Sequence, residues 1–293
     1  MSIDKVILGT AQLGFKYGIN NNTGKPSSEI AFEILETAYE NGINYLDTAE
    51  AYGNAQEIIG SYQKNSGNDF NIITKLNEDS LQNSPGINEI IDTDRKLLNA
   101  GSLYGYLFHN IRLYQKYFDK EIFHELKHQK KIKKVGVSVY TNEEVMKVAG
   151  DSDIDIVQLP FNLLDNMNLR GDVLKLLKEK NKEVHVRSVF LQGLFFTPQD
   201  QIPLKLQPLK NNLQEIGKIA GEMDLTIQQL ALLYVLQNEF IDKILIGVDT
   251  VDQLKEHIIF FKSNLINHTA ISEKINSIFV AHEQLLNPVN WVN

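Results

Sequence analysis

The stretch IAFEILETAYENGINYLDTA, residues 30–49, contains the pattern that decides the fold. In its first part apolar residues recur near helical spacing, and Asn41-Gly42 is typical of the end of a helix. Its last part, NYLDTA at 44–49, is a short apolar run of the kind that forms a buried strand. A helix followed at once by such a strand is the repeating unit of an α/β protein.

The same alternation extends along the chain. Eight short apolar runs with helical patterns between them indicate strands: VILGT (6–10), NYLDTA (44–49), NIITKL (71–76), YGYLFH (104–109), KVGVSV (134–139), DIVQLP (155–160), EVHVRSVF (183–190) and KILIGV (243–248). Strands that alternate with helices pair in parallel, and eight such units favour a closed barrel. No GxGxxG or GxxxxGK(S/T) motif supports a doubly wound or P-loop alternative. We therefore predict an α/β fold, a (β/α)8 TIM barrel.

Helical patterns fill the gaps between these strands. They lie at about 88–99, 115–130, 142–149, 170–181, 209–221, 226–238 and 251–262. Another helix opens at Asn54 with Glu57 three residues on, which predicts a capping box. An extra helix at about 271–284 leads to the tail LNPVNWVN, which holds Trp291, the only tryptophan. Because composition does not shift along the chain, residues 1–293 are predicted to form a single barrel domain with an extra helix and tail at the C-terminus.

The composition is that of an ordered globular protein. Of its 293 residues 43% are hydrophobic and 23% are charged, which allows one large core. The formal net charge of −8 opposes phosphate backbones, so no nucleic-acid partner is expected. The chain has no cysteine, no apolar stretch of about 18 residues, and a start, MSIDKVILGT, without the pattern of a signal peptide. We expect no membrane partner and a cytoplasmic location.

Four titratable residues lie where predicted strands end. They are Asp47 on the second strand, Tyr52 in the loop after it, Lys75 on the third strand and His109 after the fourth. Working groups of barrel enzymes lie at the C-terminal ends of strands, so these side chains are expected to meet on one rim. Singly, each residue type is more often structural than catalytic. An ammonium at the end of an apolar strand needs a partner, however, and Asp47 is one strand away from Lys75.

The predicted pair of Lys75 and Asp47 makes Tyr52 a candidate proton donor. A charged Lys75 beside Tyr52 should lower the pKa of the phenol from about 10 toward the working pH. Tyr52 would then protonate an alkoxide that develops on a reduced carbonyl, and in the reverse direction its tyrosinate would remove the alcohol proton. His109 would orient the carbonyl oxygen.

The residues around these four positions resemble the aldo-keto reductases. The matching segments are LDTAEAYGNAQEIIG (46–60), IITKL (72–76) and YLFHN (106–110), within a similarity from GTAQLG (9–14) to GVDTVDQLKEH (247–257). Asp47, Tyr52, Lys75 and His109 then match the family's catalytic tetrad. The resemblance implies a barrel that binds NADP(H) or NAD(H) and passes a hydride to or from an aldehyde or ketone, with Tyr52 as the proton donor.

The resemblance also implies which residues bind the cofactor. Ser138 and Gln158 would hold the carboxamide, residues 188–194 would lie along the pyrophosphate, and residues 247–257 would receive the adenosine phosphate end. The full set carried over is Gly9, Thr10, Ala11, Asp47, Ser138, Gln158, Arg187, Ser188, Leu191, Gly193, Leu194, Gly247, Asp249, Gln253 and His257.

Two departures from the family pattern affect the nicotinamide end. The usual Ser-Asn pair of the fifth strand is Ser138-Val139, so one carboxamide hydrogen bond is in question. Arg187 stands where many members place an aromatic ring on the nicotinamide. A guanidinium can also stack, and its charge predicts a substrate with an anionic or heavily hydroxylated group.

A third departure affects the adenosine end. Gly247 and Gln253 occupy the positions of a common Lys and Arg, and Asp249 and Asp252 add negative charge. A 2′-phosphate prefers the opposite arrangement, although Lys255 could compensate. The sequence therefore leaves the choice between NADP(H) and NAD(H) open.

Other functions and the substrate stay open at this point. Barrels of this kind also serve as cofactor-binding regulatory modules of potassium channels, and a non-redox isomerase or lyase could use Tyr52 with Lys75. The substrate is a small carbonyl compound, with sugar-derived carbonyls as one candidate. Its identity is expected to depend on loops 77–87, 111–118 and 195–208 and on the tail around Trp291.

One motif suggests a metal. HELKH at 124–128 matches the H-E-x-x-H pattern of zinc hydrolases. Phe123 and Leu126 lie on the apolar face of this helix, so both histidines should point away from the core. We predict a solvated outer helix and no metal site.

Overall fold

The computed structural model describes residues 3–82, 86–263 and 269–291, and within them eight strands close a barrel. They are β1 (Val6–Gly9), β2 (Tyr45–Asp47), β3 (Asn71–Leu76), β4 (Leu103–Phe108), β5 (Ile132–Ser138), β6 (Ile156–Pro160), β7 (Glu183–Arg187) and β8 (Lys243–Gly247). Each strand pairs in parallel with the next along the chain, and β8 pairs with β1. The predicted (β/α)8 TIM barrel is confirmed.

Helices follow the strands. They are α1 (Ala11–Gly14), α2 (Ser28–Glu40), α3 (Ala55–Ser66), α4 (Glu78–Gln82), α5 (Ile87–Leu97), α6 (Ile111–Tyr117), α7 (Lys120–His128), α8 (Asn142–Ala149), α9 (Met167–Glu179), α10 (Lys210–Glu222), α11 (Ile227–Leu236), α12 (Val251–Lys262) and α13 (Thr269–Asn276). Short 3-10 segments lie at Ile3–Lys5, Leu191–Phe196, Leu204–Leu209, Glu283–Leu286 and Pro288–Trp291.

The predicted helix at 115–130 is in fact two helices, α6 and α7. Phe118 is extended between them, with φ −69° and ψ 124°. The side chain of Asp119 then accepts hydrogen bonds from the backbone N–H groups of Glu121 and Ile122 and starts α7. The Asp119 cap satisfies donors at the new helix start, and apolar periodicity alone did not reveal this break.

Two helix ends also differ from the sequence predictions. Asn54 precedes α3 but its side chain does not cap that helix, because Oδ1 accepts a hydrogen bond from Lys25 instead. The extra C-terminal helix α13 is shorter than the predicted 271–284. Near its end Asn166 Nδ2 donates to the carbonyl oxygen of Ile275 at 2.9 Å, which satisfies a group that a longer helix would use.

The core has two layers. The smaller one fills the barrel and contains Ile7, Ile73, Leu107, Ile156 and Leu245. The larger one lies between the strands and the surrounding helices. Helix α13 packs on α10 and α11. The assignment of all residues to a single domain stays a prediction.

Charged side chains fill the N-terminal end of the barrel. Glu183 accepts hydrogen bonds from the Tyr104 hydroxyl at 3.0 Å, forms an ion pair with Lys134, and lies 2.7 Å from His185 Nε2. Burial would raise the pKa of Glu183, but hydrogen bonds with His185 and Lys134 lower it to about 2. This end is therefore occupied by an ionised network, and the functional site is expected at the opposite end.

The HELKH motif lies on the outer helix α7. His124 is exposed and its Nε2 is 3.0 Å from Asp153 Oδ1. Within residues 3–82, 86–263 and 269–291, no cluster of three His, Asp or Glu side chains could hold a metal ion. Nor does any helix in these ranges have the length and apolar character to cross a membrane.

Candidate active site

A cavity of about 650 Å³ opens at the C-terminal ends of the strands. The parallel register brings the predicted residues there: Gly9 is level with Asp47 and Gly247, and Ser138 is level with Gln158. The predicted site residues that line the cavity are Gly9, Ala11, Asp47, Tyr52, Lys75, His109, Ser138, Gln158, Arg187, Ser188, Gly193, Gly247, Asp249, Gln253 and His257.

Three other predicted residues are not among the cavity-lining residues. Thr10 is buried and its hydroxyl donates to the backbone oxygen of Asp47 at 2.9 Å. Leu191 and Leu194 are buried in the larger core. Their side chains hold the loops in place, so contact with a cofactor at these three positions would have to come from the backbone.

The predicted pair of Lys75 and Asp47 is present and almost completely buried. Lys75 Nζ donates to Asp47 Oδ1 and, at 2.9 Å, to the backbone oxygen of Thr48. The second carboxylate oxygen of Asp47 accepts from Gln158 Nε2 at 2.9 Å. Burial lowers the pKa of Lys75, and the contact with Asp47 opposes that shift.

Tyr52 lies between this pair and His109. Lys75 Nζ is 5.1 Å from the centroid of the Tyr52 ring, and the rings of Tyr52 and His109 meet edge to face at 6.1 Å. The three side chains thus converge as the strand order predicts.

The prediction that Lys75 lowers the pKa of Tyr52 is wrong for this structure. Burial, followed by the negative charge of Asp47, holds the pKa of the Tyr52 phenol well above its usual value, while Arg187 opposes the shift. Asp47 offsets the charge of the adjacent Lys75, so desolvation decides the direction. At neutral pH Tyr52 is a neutral phenol, the form that can donate a proton.

His109 is neutral as well. Burial, followed by the positive charges of Lys75 and Arg187, lowers the pKa of its imidazole to about 4. A neutral imidazole can donate one ring N–H to a substrate oxygen without adding charge.

The loop after β7 approaches the cavity in an unusual backbone conformation. Ser188, Leu191 and Gln192 have φ of 61°, 46° and 52°, and Gly193 has φ of 90°. Non-glycine residues rarely occupy this region, and such conformations cluster where ligands bind. Asn20 Nδ2 supports the loop by donating to the Gly193 oxygen at 2.6 Å.

The other end of the cavity is acidic. Asn21 Nδ2 donates to Asp249 Oδ1 at 3.0 Å, and the Asp249 N–H donates to Gln253 Oε1 at 2.8 Å. Glu256 lines the same end. Burial lowers the pKa of the neighbouring His257 to about 4, so its ring adds no positive charge at neutral pH.

Several lining residues were missed from the sequence. They are Gln12, Tyr17, Gly18, Asn20, Asn21, Tyr140, Gln228, Leu245 and Ile246, whereas Val189, Phe190, Gln192 and Glu256 lie within the predicted cofactor ranges 188–194 and 247–257. Residues 17–21 lie in the long polar stretch after β1, and a loop after a barrel strand was an available signal. Of the loops expected to shape the substrate site, 195–208 contributes Phe196 and the tail contributes Val289, but no described residue of 77–87 or 111–118 lines the cavity.

The comparisons with known proteins agree with this geometry. A model of the Aldo/keto reductase family matches residues 5–273. The chain belongs to this family. Oxidoreductase YqkF of Bacillus subtilis (strain 168) is 26% identical to this aldo-keto reductase, over 86% of this chain and 89% of the relative. The NADH-specific methylglyoxal reductase of Escherichia coli (strain K12) is 22% identical, over 90% and 92%.

The fold of this aldo-keto reductase also has solved counterparts. The holo form of aldo-keto reductase AKR11C1 from Bacillus halodurans superposes with a TM-score of 0.72 at 21% identity, covering 95% of each chain. Family membership establishes the protein as an oxidoreductase that uses a nicotinamide nucleotide, NADP(H) or NAD(H), as predicted.

The cavity of this aldo-keto reductase fits such a nucleotide. Gln158 Oε1 is buried and has no hydrogen-bond partner in the described part of the chain, so an acceptor stands ready for a carboxamide N–H beside Ser138. Next to the strained loop, a Cβ on Gly193 would come within 3.3 Å of Asn20, so glycine keeps this wall open. Gln158 and Ser138 would hold the nicotinamide, and residues 188–193 would follow the phosphates.

Proposed function

We propose that this aldo-keto reductase reduces an aldehyde or ketone to an alcohol, with Tyr52 as the proton donor. The observation that carries the proposal is the position of the Tyr52 phenol in one cavity with His109 and the buried pair of Lys75 and Asp47. A bound nicotinamide nucleotide supplies the hydride to the carbonyl carbon. The substrate is a small carbonyl compound, and no nucleic acid or metal ion takes part.

The residues divide the work. A neutral ring N–H of His109 orients the carbonyl oxygen, and the Tyr52 hydroxyl donates its proton to that oxygen as negative charge develops. The tyrosinate that results lies close to the ammonium of Lys75 and within the field of Arg187. Asp47 holds Lys75 in place and favours its charged form. Without a carboxylate partner, burial would favour the neutral amine at this position.

The acidic end of the cavity supports NADH as the cofactor. Asp249 and Glu256 line it, and no described lysine or arginine does so at that end. Lys255, the candidate to compensate, lines a different hollow beside Glu36 and Glu40 of α2. A 2′-phosphate carries nearly two negative charges and would face carboxylates here. The relative in Escherichia coli is described as NADH-specific, which agrees.

We expect kcat/KM with NADH to exceed that with NADPH by at least about tenfold, since one like-charge contact is worth about 1.4 kcal/mol or more. Asp249→Asn removes one charge at nearly constant shape and should lower the ratio of kcat/KM with NADH to kcat/KM with NADPH. Gln253→Arg should lower this ratio further. Fluorescence titration and steady-state turnover of an aldehyde panel with both nucleotides measure this.

The same measurements test the function itself. Tight binding without turnover of any aldehyde or ketone would favour a regulatory module, and no saturable binding of either nucleotide would favour an isomerase or lyase. A wild-type preference for NADPH that Asp249→Asn leaves unchanged would contradict the assignment of NADH as the cofactor. It would leave the proposed carbonyl reduction untouched.

The pKa directions predict a broad pH profile for reduction. Because the pKa of Tyr52 is raised, its phenol persists through neutral and mildly alkaline pH; because the pKa of His109 is about 4, its imidazole is neutral above that value. With an uncharged aldehyde, kcat/KM should be level from about pH 5.5 to 9 and should fall as the pH drops toward about 4. Circular dichroism at each pH controls for unfolding. A fall centred between about pH 7 and 8 would show that Tyr52 titrates there and would contradict this assignment.

A further inference from the structure

Arg187 presents a positive charge to the cavity without an acidic partner. Its Cζ lies 4.1 Å from the centroid of the Tyr140 ring, and Nη2 donates to the Val139 oxygen at 3.2 Å. Nη1 lies 3.4 Å from the hydroxyl oxygen of Ser188. In the ranges that the structure describes, Arg187 forms no ion pair. Tyr140 and these neutral acceptors fix the plane of the guanidinium, and its remaining N–H donors have no partner among the described residues.

The nearby carboxylates are committed to other cations. Asp47 pairs with Lys75, and Asp165 accepts two hydrogen bonds from Arg170, at 2.5 and 2.8 Å. Since His109 is neutral and Asp47 pairs with Lys75, Arg187 adds a positive charge that no other described carboxylate lining the catalytic end of the cavity balances. A partly buried cation without a counter-ion in an open cavity can pair with a carboxylate or phosphate of a ligand.

The position of the Arg187 charge favours contact with the substrate over contact with the phosphates of the cofactor. Arg187 lines the same cavity as Tyr52 and His109, and its charge acts on the pKa of both, so it lies at the catalytic end of the cavity. It contacts Val139 and Tyr140, the two residues that directly follow Ser138, the β5 residue that would hold the nicotinamide carboxamide. The strained loop that would follow the phosphates, residues 188–193, begins after Arg187.

We propose that Arg187, oriented by Tyr140, binds a carboxylate or phosphate group of the carbonyl substrate. The protein then reduces anionic carbonyl compounds in preference to neutral ones of the same shape. This inference rests on the proposed function and names its substrate class. It also gives Tyr140, which the sequence did not single out, a role as a positioning residue.

Matched substrate pairs test the proposal. The readout is the ratio of kcat/KM for 4-formylbenzoate to that for its methyl ester, and for glyceraldehyde 3-phosphate to that for glyceraldehyde, because a ratio cancels losses that both substrates share. We expect at least one ratio in the wild type to be about 10 to 100, the range for a charged hydrogen-bonded pair. Arg187→Met should bring it to about one, Arg187→Lys should retain part of it, and Tyr140→Leu should lower it.

Arg112→Met is the matched control. It removes the same charge from an exposed position on α6 and should leave the ratios unchanged. Ratios near one in the wild type, or ratios that survive in Arg187→Met, overturn the proposal. The proposal is also overturned if Arg187→Met raises the Kd of NADH and leaves the kcat/KM ratios of the substrate pairs unchanged. The charge would then bind a phosphate of the cofactor.

A binding measurement separates this proposal from the proposed function. Calorimetric titration of the NADH-loaded protein should give a Kd for benzoate at least about tenfold below that for benzamide, and Arg187→Met should abolish the difference. Equal affinities overturn the anion site even if aldehydes turn over. A benzoate preference without turnover of any aldehyde overturns the proposed function and leaves the anion site supported.

Discussion

Tyr52→Phe is expected to lower kcat for carbonyl reduction by about 10²- to 10⁴-fold, the range for a positioned general acid. The substitution removes only the hydroxyl and leaves the ring that packs beside Lys75 and His109. The Kd of NADH should therefore change little. Steady-state kinetics with a neutral aldehyde and fluorescence titration of the cofactor measure the two effects.

Tyr39→Phe is the matched control for this prediction. It removes a hydroxyl from α2, where the ring packs against Phe70 at 5.2 Å and away from the cavity. Its kcat should equal that of the wild type. If Tyr52→Phe retained more than about a tenth of the wild-type kcat, another group would have to supply the proton, and the central role of Tyr52 would be wrong.

Lys75→Met should have the second large effect, on stability as well as on activity. The ammonium and the carboxylate of Asp47 are each about 2% exposed, so removal of one leaves the other buried without its partner. Loss of one member of a buried pair costs about 3 to 5 kcal/mol of unfolding free energy. Urea denaturation measures this loss, and kcat should fall because the developing tyrosinate loses its nearest cation.

A double variant separates the two effects of Lys75. In Lys75→Met combined with Asp47→Leu neither charge of the pair remains, so much of the stability should return while the activity stays low. The surface pair of Lys274 and Glu222, with side chains 43% and 41% exposed, supplies the control. Lys274→Met should cost at most about 1 kcal/mol. Equal losses of unfolding free energy in Lys75→Met and Lys274→Met would mean that burial does not determine how much the pair of Lys75 and Asp47 contributes to stability.

The strands of the barrel were predictable because each is a short run of apolar residues buried on both faces. NIITKL at 71–76 matches β3 residue for residue, and the other runs differ from their strands by a few residues at the ends. Helix breaks were less visible. The break between α6 and α7 depends on an extended Phe118 and the Asp119 cap, which are local hydrogen-bonding events that apolar periodicity does not report.

The catalytic residues were predictable for a similar reason. Parallel strands of a barrel end on the same rim, so polar residues at strand ends meet there whatever the details of packing. The residues of the loop after β1, such as Tyr17 and Asn21, could not be placed in this way, because a loop's path depends on what it packs against.

By itself the sequence determined the closed order of strands and the meeting of Asp47, Tyr52, Lys75 and His109, since both follow from the spacing of apolar runs. Only the tertiary structure decided the direction of the Tyr52 pKa, the packing of Arg187 on Tyr140 and the outward position of Lys255. The pKa of a side chain depends on how much water it loses and on which charges surround it in space. The loss of water and the surrounding charges depend on how distant segments pack together. They cannot be read from the spacing of residues along the chain.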